Sequence, residues 1–421
     1  MPIDLTPFRL HFPALAQAHN GNPLIFFDNP GGTQVPQQVI DHVADYYRRS
    51  NANTHGAFVT SARTDAVIAE AHEGLAQLLG GEAAEIVLGA NMTSLTFAVS
   101  RSLARDWQQG DEVIVTTLDH DANITPWRMA AAERGATVRQ IGVNAEDCTL
   151  DWAALEAALG PRTKLLAIGW ASNATGTITD VRRAAELARQ AGALSYVDAV
   201  QAVPHLPCDV RAIGADFLAC STYKFFGPHA GALWGRREHL ERLTPYKVRP
   251  ATEELPFRWE TGTQNHECQA GIVGTLEYLA GLGVGYLEEF DELVGEIPGQ
   301  RAVLLAAMHA IMAYERDLTA HLLAGLRALP GARIYGIADP ARLDERVPTV
   351  AFTLEGRHPR AVAEYLGGHG IAVWDGHYYA LDLVESLGLL PAGGMVRVGL
   401  AHYNTRAEID RLLQVLEAMP A

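Results

Sequence analysis

STYKFFGPHAGALWG, residues 221–235, sets a single lysine, Lys224, among aromatic residues and beside a glycine-rich turn, with no acidic neighbour in the stretch to pair it. An amine in an apolar, partly desolvated site has a lowered pKa and can condense with an aldehyde to a Schiff base. A lysine at a strand end can equally snorkel to solvent. The surroundings must decide between the two.

Working outward, the stretch closes with the apolar run GALWG. Upstream of it EIVLG, EVIVTT, LLAIGW, ALSYVD and DFLACS alternate with helical patterns at 92–107, 125–134 and 181–191. That alternation predicts an α/β fold with a mostly parallel sheet and crossover helices. Two further helices are expected at 36–50 and 61–80, the second stopped by Gly80 and Gly81. NPGGTQVP, residues 29–36, has neither Walker A nor GxGxxG spacing and reads as a turn. At GLGVG, residues 281–285, the pattern changes to a long helical stretch over 286–329. Then come ARIYG, TVAFTL, a helix over 359–368, IAVW, VRVGL and a closing helix over 405–418. The expected organisation is an N-terminal arm, 1–30, packing on the small domain, then a large domain, 31–285, and a small C-terminal α/β domain, 286–421.

The chain has 421 residues, with 33 Lys and Arg against 49 Asp and Glu, a formal charge of -16 spread along its length. Such a balance argues against nucleic acid and anionic membranes as partners. The opening MPIDLTPFRLHFPAL lacks a basic segment followed by an apolar one, and the apolar stretch 303–314 is too short to span a bilayer. A cytoplasmic protein is expected. The four cysteines form no CxxC pair and the 16 histidines no HExxH, so no metal site is expected.

Ligands of open parallel sheets sit beyond the carboxyl ends of the strands. The segments there are ANMTS (90–94), LDHDAN (118–123), ASNATGT (171–177), VDAVQ (197–201) and STYK (221–224). Asp198 ends a buried strand and needs a cationic or N–H partner. A protonated heterocycle nitrogen of pyridoxal phosphate (PLP) is one candidate; a helix cap is another. The helix start at Asn91, Met92 and Thr93 can hold a phosphate or simply be a good N-cap. His120 can stack on a flat cofactor or move protons, or be an ordinary loop histidine. Arg397, inside an alternating strand, can grip a carboxylate or form a structural ion pair.

Six segments then fall in one order: DHDANITPW, SNATGT, VDAVQAVPH, STYKFFGPHAGALWG, ETGTQN and VRVGLAHYNT. Together they resemble the class V aminotransferases, within them the cysteine desulfurase and selenocysteine lyase group, over nearly the whole chain. The resemblance implies a fold-type I PLP enzyme with a mostly parallel seven-stranded sheet in its large domain. It implies that Lys224 carries the cofactor as a Schiff base, Asp198 pairs with the ring nitrogen, His120 stacks on the ring and Gln201 faces its phenolic oxygen. The phosphate would be held by Asn91, Met92, Thr93, Ser221 and Tyr223, with Gly262 and Thr263 coming from the partner of a homodimer. Asn173 and Arg397 match residues that hold the carboxylate of an amino-acid substrate, and His55 a histidine near the site entrance.

Three departures bear on the reaction. Tyr379 stands where the persulfide-forming cysteine aligns, and a phenol, with a pKa of about 10, cannot replace a thiolate as sulfur acceptor. Trp374 takes a position where the family often has arginine, and Tyr223 replaces the histidine that commonly precedes the Schiff-base lysine. Asp375 and His377 offer new polar contacts to substrate. The expected function is a PLP-dependent, β-eliminating (C–S) lyase without an enzyme persulfide. The alternatives are a class V aminotransferase, a desulfurase releasing sulfide, an epimerase, or a non-enzymatic PLP carrier or regulator.

Overall fold

Apolar runs with little polar alternation form strands that a sheet buries on both faces. In the computed structural model, which describes residues 3–420, these are β1 (Ile86–Gly89), β2 (Glu112–Thr116), β3 (Thr137–Ile141), β4 (Thr163–Gly169), β5 (Leu194–Asp198), β6 (Phe217–Ser221) and β7 (Gly231–Gly235). Residues 1, 2 and 421, the tips of the expected arm and small domain, lie outside the described residues. The seven strands form one sheet in the order β1-β7-β6-β5-β4-β2-β3. All neighbours are parallel except β7, which runs antiparallel to β1 and β6.

Six of these strands are the apolar runs of the sequence; β3 is not among them. Its sequence, TVRQI, is polar and largely exposed because it forms the sheet edge. An edge strand needs little apolar surface and benefits from charge.

Helices α1 (Gln37–Arg49), α2 (Val59–Leu79), α3 (Met92–Leu103), α4 (Thr125–Arg134) and α5 (Val181–Gln190) lie close to their expected places. The expected helix over 286–329 is corrected. Helix α6 runs from His266 to Val284, through the glycine cluster taken as a boundary, and the long helix α7 occupies only Gly299–Ala328, after Pro298. A Cβ on Gly283 would come within 1.9 Å of the Val303 carbonyl oxygen, so this glycine serves the close approach of α6 and α7.

The C-terminal strands β8 (Ala332–Tyr335), β9 (Thr349–Leu354), β10 (Trp374–Gly376) and β11 (Met395–Gly399) form an antiparallel sheet in the order β8-β9-β11-β10. Helices α8 (Pro359–Gly368) and α9 (Arg406–Glu417) accompany it. IAVW is divided: Ile371 and Ala372 pair with Ile25 and Phe26, whereas Trp374 begins β10 opposite Arg397. The N-terminal segment also reaches α9, where Arg9 pairs with Glu408 at 2.8 Å. Among the described residues no helix is long and apolar enough to cross a membrane.

Candidate active site

The carboxyl ends of β2, β4, β5 and β6 open into a cavity of about 800 Å³, closed on the far side by residues 374–379 and Arg397. The register sets Gly169 beside Asp198 and Asp198 beside Ala219, so residues distant in sequence converge.

Asp198 is buried and accepts a hydrogen bond from the Val200 N–H at 2.9 Å. Burial pushes its carboxyl up to about 6, against the opposing pull of that hydrogen bond and of Lys224. Lys224 lies 4.7 Å over the Tyr223 ring and donates to the Pro30 carbonyl. Burial, followed by the charge of Arg397, brings its amine down to about 7. The lysine therefore does not snorkel away, and its neutral form is accessible near neutral pH.

Pro30 belongs to the 29–36 segment read as a turn. It is a 3-10 turn, and its carbonyl also accepts from Gln201 Nε2 at 2.9 Å. Gln201 lines the cavity, and this bond uses one of the two N–H donors of its amide. Gly399 makes the turn possible, since a Cβ on it would meet Pro30 Cδ at 2.0 Å.

His120 follows β2. Its Nδ1 accepts from the Ala122 N–H at 3.0 Å, which leaves the proton on Nε2. Burial, then the charges of Lys224 and Arg397, lower it to about 4, so the ring is neutral. Next to it Asp119, which the sequence reading passed over, is buried and pushed up to about 8 by burial. It accepts from Thr116 Oγ1 and from Asn123 Nδ2. Its position at a strand end, like that of Asp198, was the available signal.

At the start of α3, Met92 and Thr93 line the cavity. The Met92 N–H donates to Ser221 Oγ at 3.2 Å, while Asn91 turns its side chain to Ser94 N as an N-cap at 2.9 Å. The capping alternative thus describes the Asn91 side chain, which is not part of the cavity lining. Tyr223 lines the cavity and stacks on His229 at 4.7 Å.

On the opposite wall Arg397 donates to the Asn173 carbonyl at 2.7 Å and lies 4.3 Å over the Tyr378 ring. It forms no structural ion pair among the described residues. Arg397 Nε and Asn173 Oδ1 are buried without hydrogen-bond partners. Both residues line the cavity, and a buried donor and a buried acceptor without partners are groups that a zwitterionic ligand would satisfy. Asp375 pairs with Arg360 of α8 at 3.1 Å, and His377 Nδ1 accepts from Tyr379 N at 3.1 Å. Tyr379 is 67% exposed and Trp374 49%. Besides Asn91, three expected site residues are not brought into this cavity. Gly262 and Thr263 are exposed elsewhere, and His55 is exposed with Nδ1 3.6 Å from Asp65.

The model of the family described as "Aminotransferase class-V" matches residues 25–293 and 301–412. The chain belongs to this family. It is a PLP-dependent enzyme of the cysteine desulfurase-like group with the corresponding fold. It is 33% identical over 433 residues to a cysteine desulfurase of Pectobacterium atrosepticum, covering 99% of this chain and 98% of that protein. It is 33% identical over 429 residues to a probable cysteine desulfurase of Mycolicibacterium paratuberculosis, covering 98% of this chain but only 58% of that protein's length. Among solved structures, the cysteine desulfurase CsdA of Escherichia coli superposes with a TM-score of 0.82 at 28% identity, covering 98% of each chain. The residues present fit PLP: a buried carboxylate for a ring nitrogen, a low-pKa lysine for an aldehyde, a neutral imidazole for a ring face, and a helix start for a phosphate.

Proposed function

We propose that this enzyme is a β-eliminating lyase acting on an amino acid with a sulfur substituent at Cβ, without a persulfide on the protein. One observation carries the reading: Lys224, Asp198 and Arg397 share a cavity that none of the four cysteines lines. Cys148, Cys208 and Cys220 are buried and Cys268 is partly buried, and burial raises all four thiols. None is placed or activated as a thiolate acceptor.

Bound PLP supplies an electron sink. Lys224, once its Nζ is free, takes the Cα proton of the substrate. Asp198 holds the ring nitrogen protonated. Arg397 holds the α-carboxylate, fixing which bonds at Cα and Cβ face the lysine. The Cβ–S bond then breaks with its electron pair leaving on sulfur. With one water consumed overall, a cysteine S-conjugate gives a thiol, pyruvate and ammonia.

The relatives named cysteine desulfurases favour a second reading, in which cysteine is the substrate, alanine is the product and a small thiol takes up the sulfane sulfur as a persulfide. Transamination, epimerisation and PLP carriage without turnover are the remaining outcomes. The deciding experiment follows the cofactor spectrum and the products while cysteine and its S-substituted derivatives are added without an oxo acid. Pyruvate and thiol with a restored spectrum support elimination, alanine with sulfane sulfur, recovered as sulfide only when a thiol reductant is added, supports desulfuration, and a permanently converted pyridoxamine spectrum sinks both.

We also propose a homodimer in which Gly262 and Thr263 complete the partner's phosphate site. They are exposed and remote from their own cavity, and Tyr47, Phe58, Val59, Tyr246 and Val248 are large apolar groups left exposed. The three-part division at residues 30 and 285 is proposed on the same footing, as is a cytoplasmic setting, which buried free thiols suit.

A further inference from the structure

Resting on the reading of the cavity as an amino-acid site, we infer that Arg360 is a specificity residue that selects substrates whose side chain ends in an anion. Arg360 is the second residue of α8 and lines the same cavity as Lys224 and Arg397. Its position is not explained by helix stability, because a cation is unfavourable at the positive end of the helix dipole. The nearby anion, Asp375, meets Nε at 3.1 Å, with the arginine side chain 63% exposed and the aspartate 8%. The two terminal nitrogens have no hydrogen-bond partner among the described residues. Asp375 thus orients the guanidinium and leaves its terminal N–H groups open to the cavity.

The other arginine cannot serve both ends of a substrate. Arg397 is buried at the inner wall, where its unpartnered Nε suits an α-carboxylate and the unpartnered Asn173 Oδ1 an α-amine. Trp374, paired across the sheet from Arg397, brings no charge, and its indole packs against Gly31. The cation at the mouth therefore comes from α8, separated from Arg397 by the wall of Trp374 and Tyr378. Two guanidinium groups at the inner wall and the mouth of one cavity match an amino acid with an acidic side chain, or one bearing an anionic substituent on sulfur.

The test titrates the cofactor-loaded enzyme with isosteric pairs, aspartate against asparagine and glutamate against glutamine, in both enantiomers, reading the change in the cofactor absorption band. The expected result is at least about tenfold tighter binding of the acidic member of a pair. Arg360→Gln should bring the pair within about twofold, with the neutral member unchanged, and Arg360→Lys should retain part of the preference. Equal binding of both members by the native enzyme, or equal losses of both in Arg360→Gln, would overturn the inference and leave the amino-acid site standing. If no amino acid of either kind perturbs the band, the reading of the site itself fails.

Discussion

The ring of Tyr379 lies on that of His120, with centroids 5.4 Å apart and planes inclined by 21°. The stack is held from both sides: the Asp121 N–H donates to the Tyr379 carbonyl at 2.7 Å, and Tyr379 N to His377 Nδ1. Tyr378 and Tyr379 both take positive φ, 53° and 60°, which for bulky residues costs about 1–3 kcal/mol each. The turn keeps this conformation because Asn173 Nδ2 and Tyr378 Oη also anchor it, to the Tyr378 and Met395 carbonyls. The 377–379 turn is thus a fixed support for His120. Aromatic stacking contributes about 0.5–1.5 kcal/mol beyond burial. Tyr379→Ala should accordingly lower kcat/KM by about two- to tenfold and shift the cofactor absorption, whereas Tyr379→Phe should preserve both. Equal effects of the two variants would assign the role to the hydroxyl and not to the ring.

Lys224 yields a prediction about pH as well as attachment. With its amine at about 7, the neutral nucleophile forms across the neutral range. Uptake of PLP by cofactor-free protein should rise between pH 6 and 8 with a midpoint of about 7, far below the ordinary lysine value of about 10.4. Lys224→Ala should lose the borohydride-fixable link and at least about a hundredfold in turnover. The stability sign follows from the same shift. Between about 7 and 10.4 the unfolded chain binds a proton that the folded one does not, so stability rises with pH in that window. Lys224→Met, which removes the buried amine, should flatten that rise in thermal melts of the cofactor-free protein. An unchanged slope would mean that the amine titrates normally.

Most of the fold was legible because buried strands and their crossover helices leave strong apolar patterns. What escaped did so for physical reasons. TVRQI is a strand by edge pairing and not by burial, and the glycines of GLGVG continue a helix because the backbone of α7 crosses there. In the site, Lys224, Asp198, His120 and Arg397 were visible as charged or aromatic residues at strand ends or inside a strand. Pro30 was not, since it acts through a carbonyl that any residue possesses. Arg360 was not either, because only the fold carries α8 to the cavity. Asp375 was visible as a polar residue, but its pairing with Arg360 was not.

A buried ion pair lies behind the segment proposed to cross to the partner. His72 Nε2 and Glu260 Oε1 are 2.7 Å apart, and the same oxygen accepts from the Leu88 N–H at 2.8 Å. Burial alone would lower the His72 pKa, but the hydrogen bond and charge of Glu260, with the Ile68 carbonyl, raise it. The pair's contribution is complete below the unfolded histidine value of about 6.5 and is lost as pH rises through the higher folded value. Glu260→Gln should cost about 3–5 kcal/mol in chemical denaturation, as breakage of a buried pair does. Because Glu260 directly precedes Thr261, Gly262 and Thr263, the variant should also weaken PLP retention. A loss of stability with undiminished PLP affinity would separate this pair from the proposed phosphate site.

Arg397 tests the division of labour within the cavity. Its guanidinium is buried, held by the Asn173 carbonyl and the Tyr378 ring, and burial brings it down to about 10, so it stays charged at neutral pH. A charge in such a place, with Asp28 near but no ion pair formed, is costly, and an incoming carboxylate relieves the cost. Arg397→Ala should therefore weaken amino-acid binding by about 2–5 kcal/mol, a loss of roughly thirtyfold or more, while PLP affinity changes little. Arg397→Lys should recover only part of the loss, because an ammonium cannot reproduce the planar fork. The measurement is a pair of titrations, one of PLP into cofactor-free variant and one of amino acid into the loaded form. A parallel loss in both would make Arg397 a strut for the 374–379 wall and leave the α-carboxylate without its proposed partner.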